Sequence, residues 1–267
     1  MGCTPMAIDV VNTFEALLAD DEPPAFEIVN AGGASNLVLV CDHASRRVPR
    51  ALDHLGLTPE QLDDHIGWDP GAAEVARRLS SNLDAPLILS GYSRLVIDCN
   101  RPLHSSQSIA EQSADVFIPG NQHLSEAARA SRIYSLFMPY HTAIHKLLDA
   151  RQHKPSLLLS IHSFTPVLHD VRRPWNIGVS YWKDKRFAQL LRYALQQRGD
   201  LVIGDNQPYA IDPEFDYAIP VHGEGRGLAC AMIEMRQNDI LSAAGIADYA
   251  ERLTQAFKWS EAIMLTP

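Results

Sequence analysis

The chain has 267 residues, 46% of them apolar, with a formal net charge of −9 and a pI of about 5.6. That is enough apolar material for one large α/β domain, and an acidic balance with no Lys/Arg cluster argues against nucleic acid or anionic membranes as partners. No apolar run reaches the length of a membrane span, acidic residues interrupt the N-terminus where a signal peptide needs its apolar stretch, and Met6 stands where an N-myristoylation motif needs Ser or Thr, so a cytoplasmic protein is expected.

Residues 1–34 read as a peripheral segment of a single 1–267 domain. Val10 to Leu18 has helical periodicity, which Asp20-Asp21-Glu22-Pro23-Pro24 ends. Leu37 to Cys41, L-V-L-V-C, is a continuous apolar run suited to a central strand covered on both faces. Thr58 and Pro59 open a short helix as N-cap and first helical residue. A loop with His65, Trp68 and Asp69 leads into a helix over 70–83, whose apolar stripe is Ala73, Val75, Ala76, Leu79 and Leu83. Pro86 to Leu89 predicts a second strand and Arg94 to Asp98 a third, which runs into the polar tip Asn100-Arg101. The stretch 102–120 is polar and aperiodic, a long surface loop. Ser125 to Gln152 predicts a long helix, kinked or broken at Pro139. Strands follow over 157–161, 176–182, 201–204 and 228–236, with helices over 184–198 and 239–265 and a loop-rich stretch at 208–227. Alternating strands and helices imply a three-layer α/β/α fold around a mostly parallel mixed sheet. The four cysteines have no C-x-x-C spacing, so reduced core thiols are expected.

Two histidines, His43 and His162, sit just past apolar strand runs and should share the carboxyl edge of the sheet, where α/β proteins bind ligands. Two imidazoles there begin a catalytic zinc site, which takes three protein ligands and leaves a position open. Asp69 is the first choice for the third ligand and Asp42 the second; Asp69 could instead merely cap the 70–83 helix. Glu234 lies inside the apolar run A-C-A-M-I-E-M-R, where a carboxylate is costly to bury unless it is paired, with Arg236 or Arg94, or serves as a general base toward a zinc-bound water. Arg101 can fork onto a carboxylate with Asn100 adding a hydrogen bond, although the pair could equally close a turn. His141 and His145 share a helix face but lack the Glu of H-E-x-x-H, and read as a partly exposed face. His222 lies in a Gly-rich loop as a solvated residue or a substrate contact.

Five stretches in register, D-H-A-S-R-R-V-P, H-I-G-W-D-P-G-A, Y-S-R-L-V-I-D-C-N-R, S-I-H-S-F-T-P and A-M-I-E-M-R, resemble the N-formylglutamate amidohydrolase family. The N-R pair and the late Glu are also similar to the wider zinc carboxypeptidase and aspartoacylase group. The resemblance implies a zinc-carboxypeptidase-like (phosphorylase/hydrolase-like) fold holding one zinc ion. It implies His43 and His162 as ligands, Glu234 as base and then acid, and Arg94 polarising the scissile carbonyl. Asn100 and Arg101 would hold a substrate carboxylate, and His222, from its place in the Gly-rich loop, is added as a substrate contact. The carboxypeptidase pattern places an acidic ligand three residues after the first His; here that residue is Arg46, so the acid must come from elsewhere, and Asp69 is expected. The expected activity is cleavage of an N-acyl group such as formyl from an acidic amino acid such as glutamate. The rivals are a hydrolase of small peptide or peptidoglycan-type amides, and a carboxylate-binding protein without turnover. The sequence leaves open the oligomeric state and the choice of zinc over other divalent ions.

Overall fold

The computed structural model describes residues 16–265. Its main strands are β1 (Phe26–Val29), β2 (Leu37–Cys41), β3 (Leu87–Ser90), β4 (Leu157–Phe164), β5 (Ile177–Ser180), β6 (Ile203–Asp205) and β7 (Ala229–Arg236). They form one seven-stranded mixed sheet in the spatial order β1, β3, β2, β4, β7, β5, β6. The four strands β3, β2, β4 and β7 run parallel. At the margins β1 is antiparallel to β3, β5 is antiparallel to β7, and β6 is parallel to β5.

The central strands are apolar at successive positions because both faces are covered. Leu37, Leu39 and Cys41 face the layer of α2 (Ala72–Leu83), α5 (Arg186–Gln196) and α6 (Ala243–Met264). Val38 and Val40 face the opposite layer, around Tyr140, Ile144 and Leu148 of α4 (Met138–Ala150). The same alternation puts Ser160 and His162 of β4, and Met232 and Glu234 of β7, on the α4 side. These are the polar residues that the strands carry into the site.

Three expectations need correction. Arg94–Asp98 is not a strand but a turn. Ser93 Oγ donates to Gly67 O (2.7 Å) and accepts the Leu95 N–H (3.2 Å), while the Val96 N–H returns to Ser93 O (3.0 Å). The β-branched run there reflects burial, since Leu95, Val96 and Ile97 fill a third apolar cluster beneath the loops with Leu62 and Phe137. Second, the supposedly peripheral N-terminal segment holds the edge strand β1, a signal weakened by its half-exposed side chains. Third, β4 runs on to Phe164, so His162 lies within the strand rather than past it.

The other elements agree within a few residues. Thr58 and Gln61 form a capping box at α1 (Pro59–Asp63). The long helix expected over 125–152 is α3 (Glu126–Arg132), a π-turn over 133–137, and α4, with Pro139 in the first turn of α4. Cys41, Cys99 and Cys230 are buried free thiols. Cys3 and most of the Val10–Leu18 periodicity lie outside the described residues, and Ala16–Leu18 is not helical.

One glycine decides where the site's acid sits. Gly71, at φ +82°, joins the Asp69 turn to α2, and a Cβ there would lie 2.5 Å from Ile240 O. Gly71→Ala is expected to cost roughly 2 kcal/mol or more, from left-handed strain plus a backbone clash. A urea midpoint unchanged within error would refute this.

Candidate active site

His43 follows β2, and the N–H of Asp69 donates to His43 O (3.0 Å), so the backbone itself brings the two residues together. Asp69 does not cap α2. Gly71 is the N-cap residue, while Asp69 Oδ2 accepts the Ser163 N–H (3.2 Å) and lies 2.9 Å from His162 Nδ1 and 3.4 Å from His43 Nδ1. The two rings meet edge to face, with centroids 4.8 Å apart. All three residues are buried, and their ligating atoms lie within 4.8 Å of one another.

The far side of each ring meets another carboxylate. His43 Nε2 is 2.7 Å from Asp98 Oδ1, and His162 Nε2 is 3.1 Å from Asp42 Oδ2, which also accepts the Ser160 hydroxyl (2.8 Å). An ionised carboxylate only accepts, so each Nε2 carries the hydrogen of its contact, and in a neutral ring His43 Nδ1 is the nitrogen left to offer a lone pair. That atom is buried without a hydrogen bond. Imidazoles anchored by carboxylates at the far nitrogen are the usual setting of metal ligands. Donors around a four-coordinate zinc lie roughly 3.3 Å apart, close to the spacing here, so the residues fit a divalent ion. Asp42, the second choice as ligand, sits behind His162 instead of beside it.

Electrostatics agree with this arrangement. Burial alone would lower the His162 pKa, yet hydrogen bonds to Asp42 and Asp69 raise it well above the usual histidine value. Against the cost of burial, the His43 and His162 rings hold Asp69 far below the usual carboxylate range, and Arg94 and His43 do the same for Asp98. Glu234 moves the other way. It pairs in register with His162, is 5% exposed, and has its Oε2 buried without a hydrogen-bond partner. Burial pushes its pKa up to about 7.

The wall opposite comes from the 91–101 turn. Arg94 donates from Nε (3.1 Å) and Nη2 (2.7 Å) to Asp98 Oδ2, and its Nη1 lies 3.7 Å from Asp69 Oδ1. Asn100 Oδ1 accepts the Tyr217 and Ala218 N–H groups, and its Nδ2 donates to Asp216 Oδ1 (3.2 Å). Arg101 Nη1 donates to Phe215 O and to Asp216 Oδ1 (3.3 Å).

A cavity of about 450 Å³ opens between these groups, lined by His43, Asp69, His162, Glu234, Arg94, Asn100 and Arg101 among others. Seven of the eight candidate residues thus share one wall system. His222 does not. It is fully buried in a helical turn over 219–223, with its Nε2 2.8 Å from His141 Nδ1. His141 is likewise buried, not partly exposed as expected, and its Nε2 donates to Cys99 O (2.9 Å). Burial pushes the pKa of His141 down to about 4 and that of His222 down to about 2, so this pair is neutral.

Sequence reasoning missed the roles of Asp98, Asp42, Ser160 and the cavity-lining segment 208–216. A partial signal existed for the first three, since each is a polar residue in or beside an apolar run, but which histidine the two acids back depends on contacts 55 and 120 residues apart in sequence. The loop expected at 102–120 contributes no cavity lining.

A comparison with curated proteins gives no match. Among solved structures, a gene product of Agrobacterium tumefaciens is 33% identical at a TM-score of 0.90, covering 94% of this chain and 100% of its own. An N-formylglutamate amidohydrolase from Ralstonia eutropha JMP134 shares the fold at 17% identity and a TM-score of 0.68, covering 91% of this chain and 99% of its own. A family model of N-formylglutamate amidohydrolase matches residues 35–241, a span that starts just before the strand leading to His43 and ends beyond Glu234. The chain therefore belongs to the N-formylglutamate amidohydrolase family.

Proposed function

We propose that this protein is a metal-dependent amidohydrolase that removes an acyl group, formyl in the first instance, from the nitrogen of an amino acid such as L-glutamate. The observation that carries the reading is one cavity holding both the His43, Asp69 and His162 donors and a buried carboxylate, Glu234, with an unpartnered oxygen. A divalent ion held by those donors, zinc first among them, would supply Lewis acidity and bring the pKa of a water it binds to about 7.

The remaining chemistry belongs to the chain. Glu234 Oε2 takes a proton from the water that attacks the amide carbonyl, then delivers it to the departing nitrogen as the C–N bond breaks. Arg94, locked by its fork onto Asp98, points N–H groups at the oxygen on which charge develops. Arg101 and Asn100 hold the substrate carboxylate at the other end of the cavity.

The test is turnover of N-formyl-L-glutamate against a panel of N-acyl amino acids and dipeptides, on the wild type and on Arg101→Ala. The expected result is hydrolysis of the formyl compound but not of dipeptides, with KM raised roughly tenfold or more in the variant. Hydrolysis of dipeptides alone, or KM unaffected by Arg101→Ala, would reject the reading.

A further inference from the structure

The two residues that would grip the substrate already grip a carboxylate, and it belongs to the protein. Asp216 Oδ1 receives Asn100 Nδ2 at 3.2 Å and Arg101 Nη1 at 3.3 Å. A bidentate arginine grip needs a matched pair of N–H groups. Here Nη1 is committed to Asp216 and to Phe215 O, so no incoming carboxylate can be held by that nitrogen until Asp216 leaves it. We infer that Asp216 is a built-in competitor for the substrate carboxylate: a carboxylate latch on Arg101 that the substrate displaces, and that therefore sets the affinity of the cavity for carboxylate ligands.

The geometry of the segment suits release of a side chain without unfolding of the loop. The 212–216 turn closes on itself, with the Phe215 and Asp216 N–H groups bonded to Asp212 O. The backbone just beyond is held independently, since Asn100 Oδ1 takes the Tyr217 and Ala218 N–H groups. Ile211 and Ile219 anchor the flanks in the apolar layer under the sheet. Because those backbone bonds do not involve the Asp216 carboxylate, only its side chain has to swing, a movement that also breaks the Asp212 N–H bond to Oδ2 (3.0 Å). The latch is also held weakly. Burial raises the Asp216 pKa above its ordinary value in spite of Arg101, so the pair does not fully offset the cost of desolvating that carboxylate. By contrast Arg94 places two N–H groups on one carboxylate oxygen, Nε at 3.1 Å and Nη2 at 2.7 Å from Asp98 Oδ2. Of the two arginines in the cavity, Arg94 is fixed and Arg101 can be freed.

This inference rests on the reading of Asn100 and Arg101 as a substrate-carboxylate grip. Its test uses wild type, Asp216→Asn and Asp216→Ser, with two measurements: KM for N-formyl-L-glutamate, and the calorimetric Kd of L-glutamate on metal-loaded protein. Removing the competing charge is expected to lower both KM and Kd, by roughly five- to twentyfold. Thermal melts identify a variant that fails to fold, in which case the other variant decides. If KM and Kd are unchanged or raised in a folded variant, Asp216 positions Arg101 instead of competing with the substrate, and the latch is overturned while the hydrolase reading stands. If the wild type neither hydrolyses N-formyl-L-glutamate nor binds L-glutamate, and Asp216→Asn does neither, the grip reading fails and takes the latch with it.

Discussion

Glu234→Gln is expected to lower kcat by about two to four orders of magnitude, the range that a positioned general base contributes, while leaving the metal content unchanged. The substitution keeps the shape of the side chain and removes only the ability to take a proton. Glu234 is not among the three donors, so metal binding should survive. The pH profile gives a second, independent reading. Burial holds the pKa of Glu234 up at about 7, and the base works only when ionised, so kcat/KM should fall as pH drops through that value. A dication beside His162 favours the ionised form and moves this limb to lower pH, never to higher. The limb should vanish in the variant. Wild-type turnover in Glu234→Gln, or an acidic limb that persists there, would remove Glu234 from the chemistry.

The central strands were legible because burial on both faces leaves no choice but continuous apolar runs, as in L-V-L-V-C and L-L-L-S-I. The candidate site was legible to the same extent. His43, His162 and Glu234 interrupt or end those runs, and a polar residue in such a place needs either a partner or a function. Turns and edges were harder to read. Leu95-Val-Ile reads as a strand because β-branched residues suit any buried extended position, whereas Ser93 bends the backbone through contacts with Gly67 that lie 26 residues away in sequence. The same bend brings Arg94 and Asp98 together, which an extended strand would hold well apart. The acidic residues behind the histidines could be found only once the strands were in register, since Asp42 and His162 are 120 residues apart. His222 was misplaced for the opposite reason: glycines around a histidine suggest an exposed loop, and here Gly223 is needed because a Cβ would strike Cys230 Sγ at 2.6 Å.

Removal of the metal should have the second large effect. About one divalent ion per chain is expected by elemental analysis, and it should be lost in both His43→Ala and His162→Ala. Asp98→Asn and Asp42→Asn keep every ligand and lose the carboxylate charge behind a ring (with Asp98→Asn also weakening the Arg94 fork), so their metal affinity should fall by roughly ten- to a hundredfold, not to zero. Stripping the ion should also lower Tm, because whatever binds the folded state alone stabilises it by mass action. Without an ion, Asp42 and Asp69 hold a proton on His162, and binding through Nδ1 must expel it. Zinc titrated into stripped protein at pH 7 should therefore release protons, detectable as a binding enthalpy that varies with buffer, and its apparent affinity should rise with pH until the His162 proton is already gone. A wild type that carries no ion and takes up none on titration would leave His43 and His162 as structural pairs with their carboxylates. Glu234 would then have no activated water to serve, and the cavity would be left with carboxylate recognition alone.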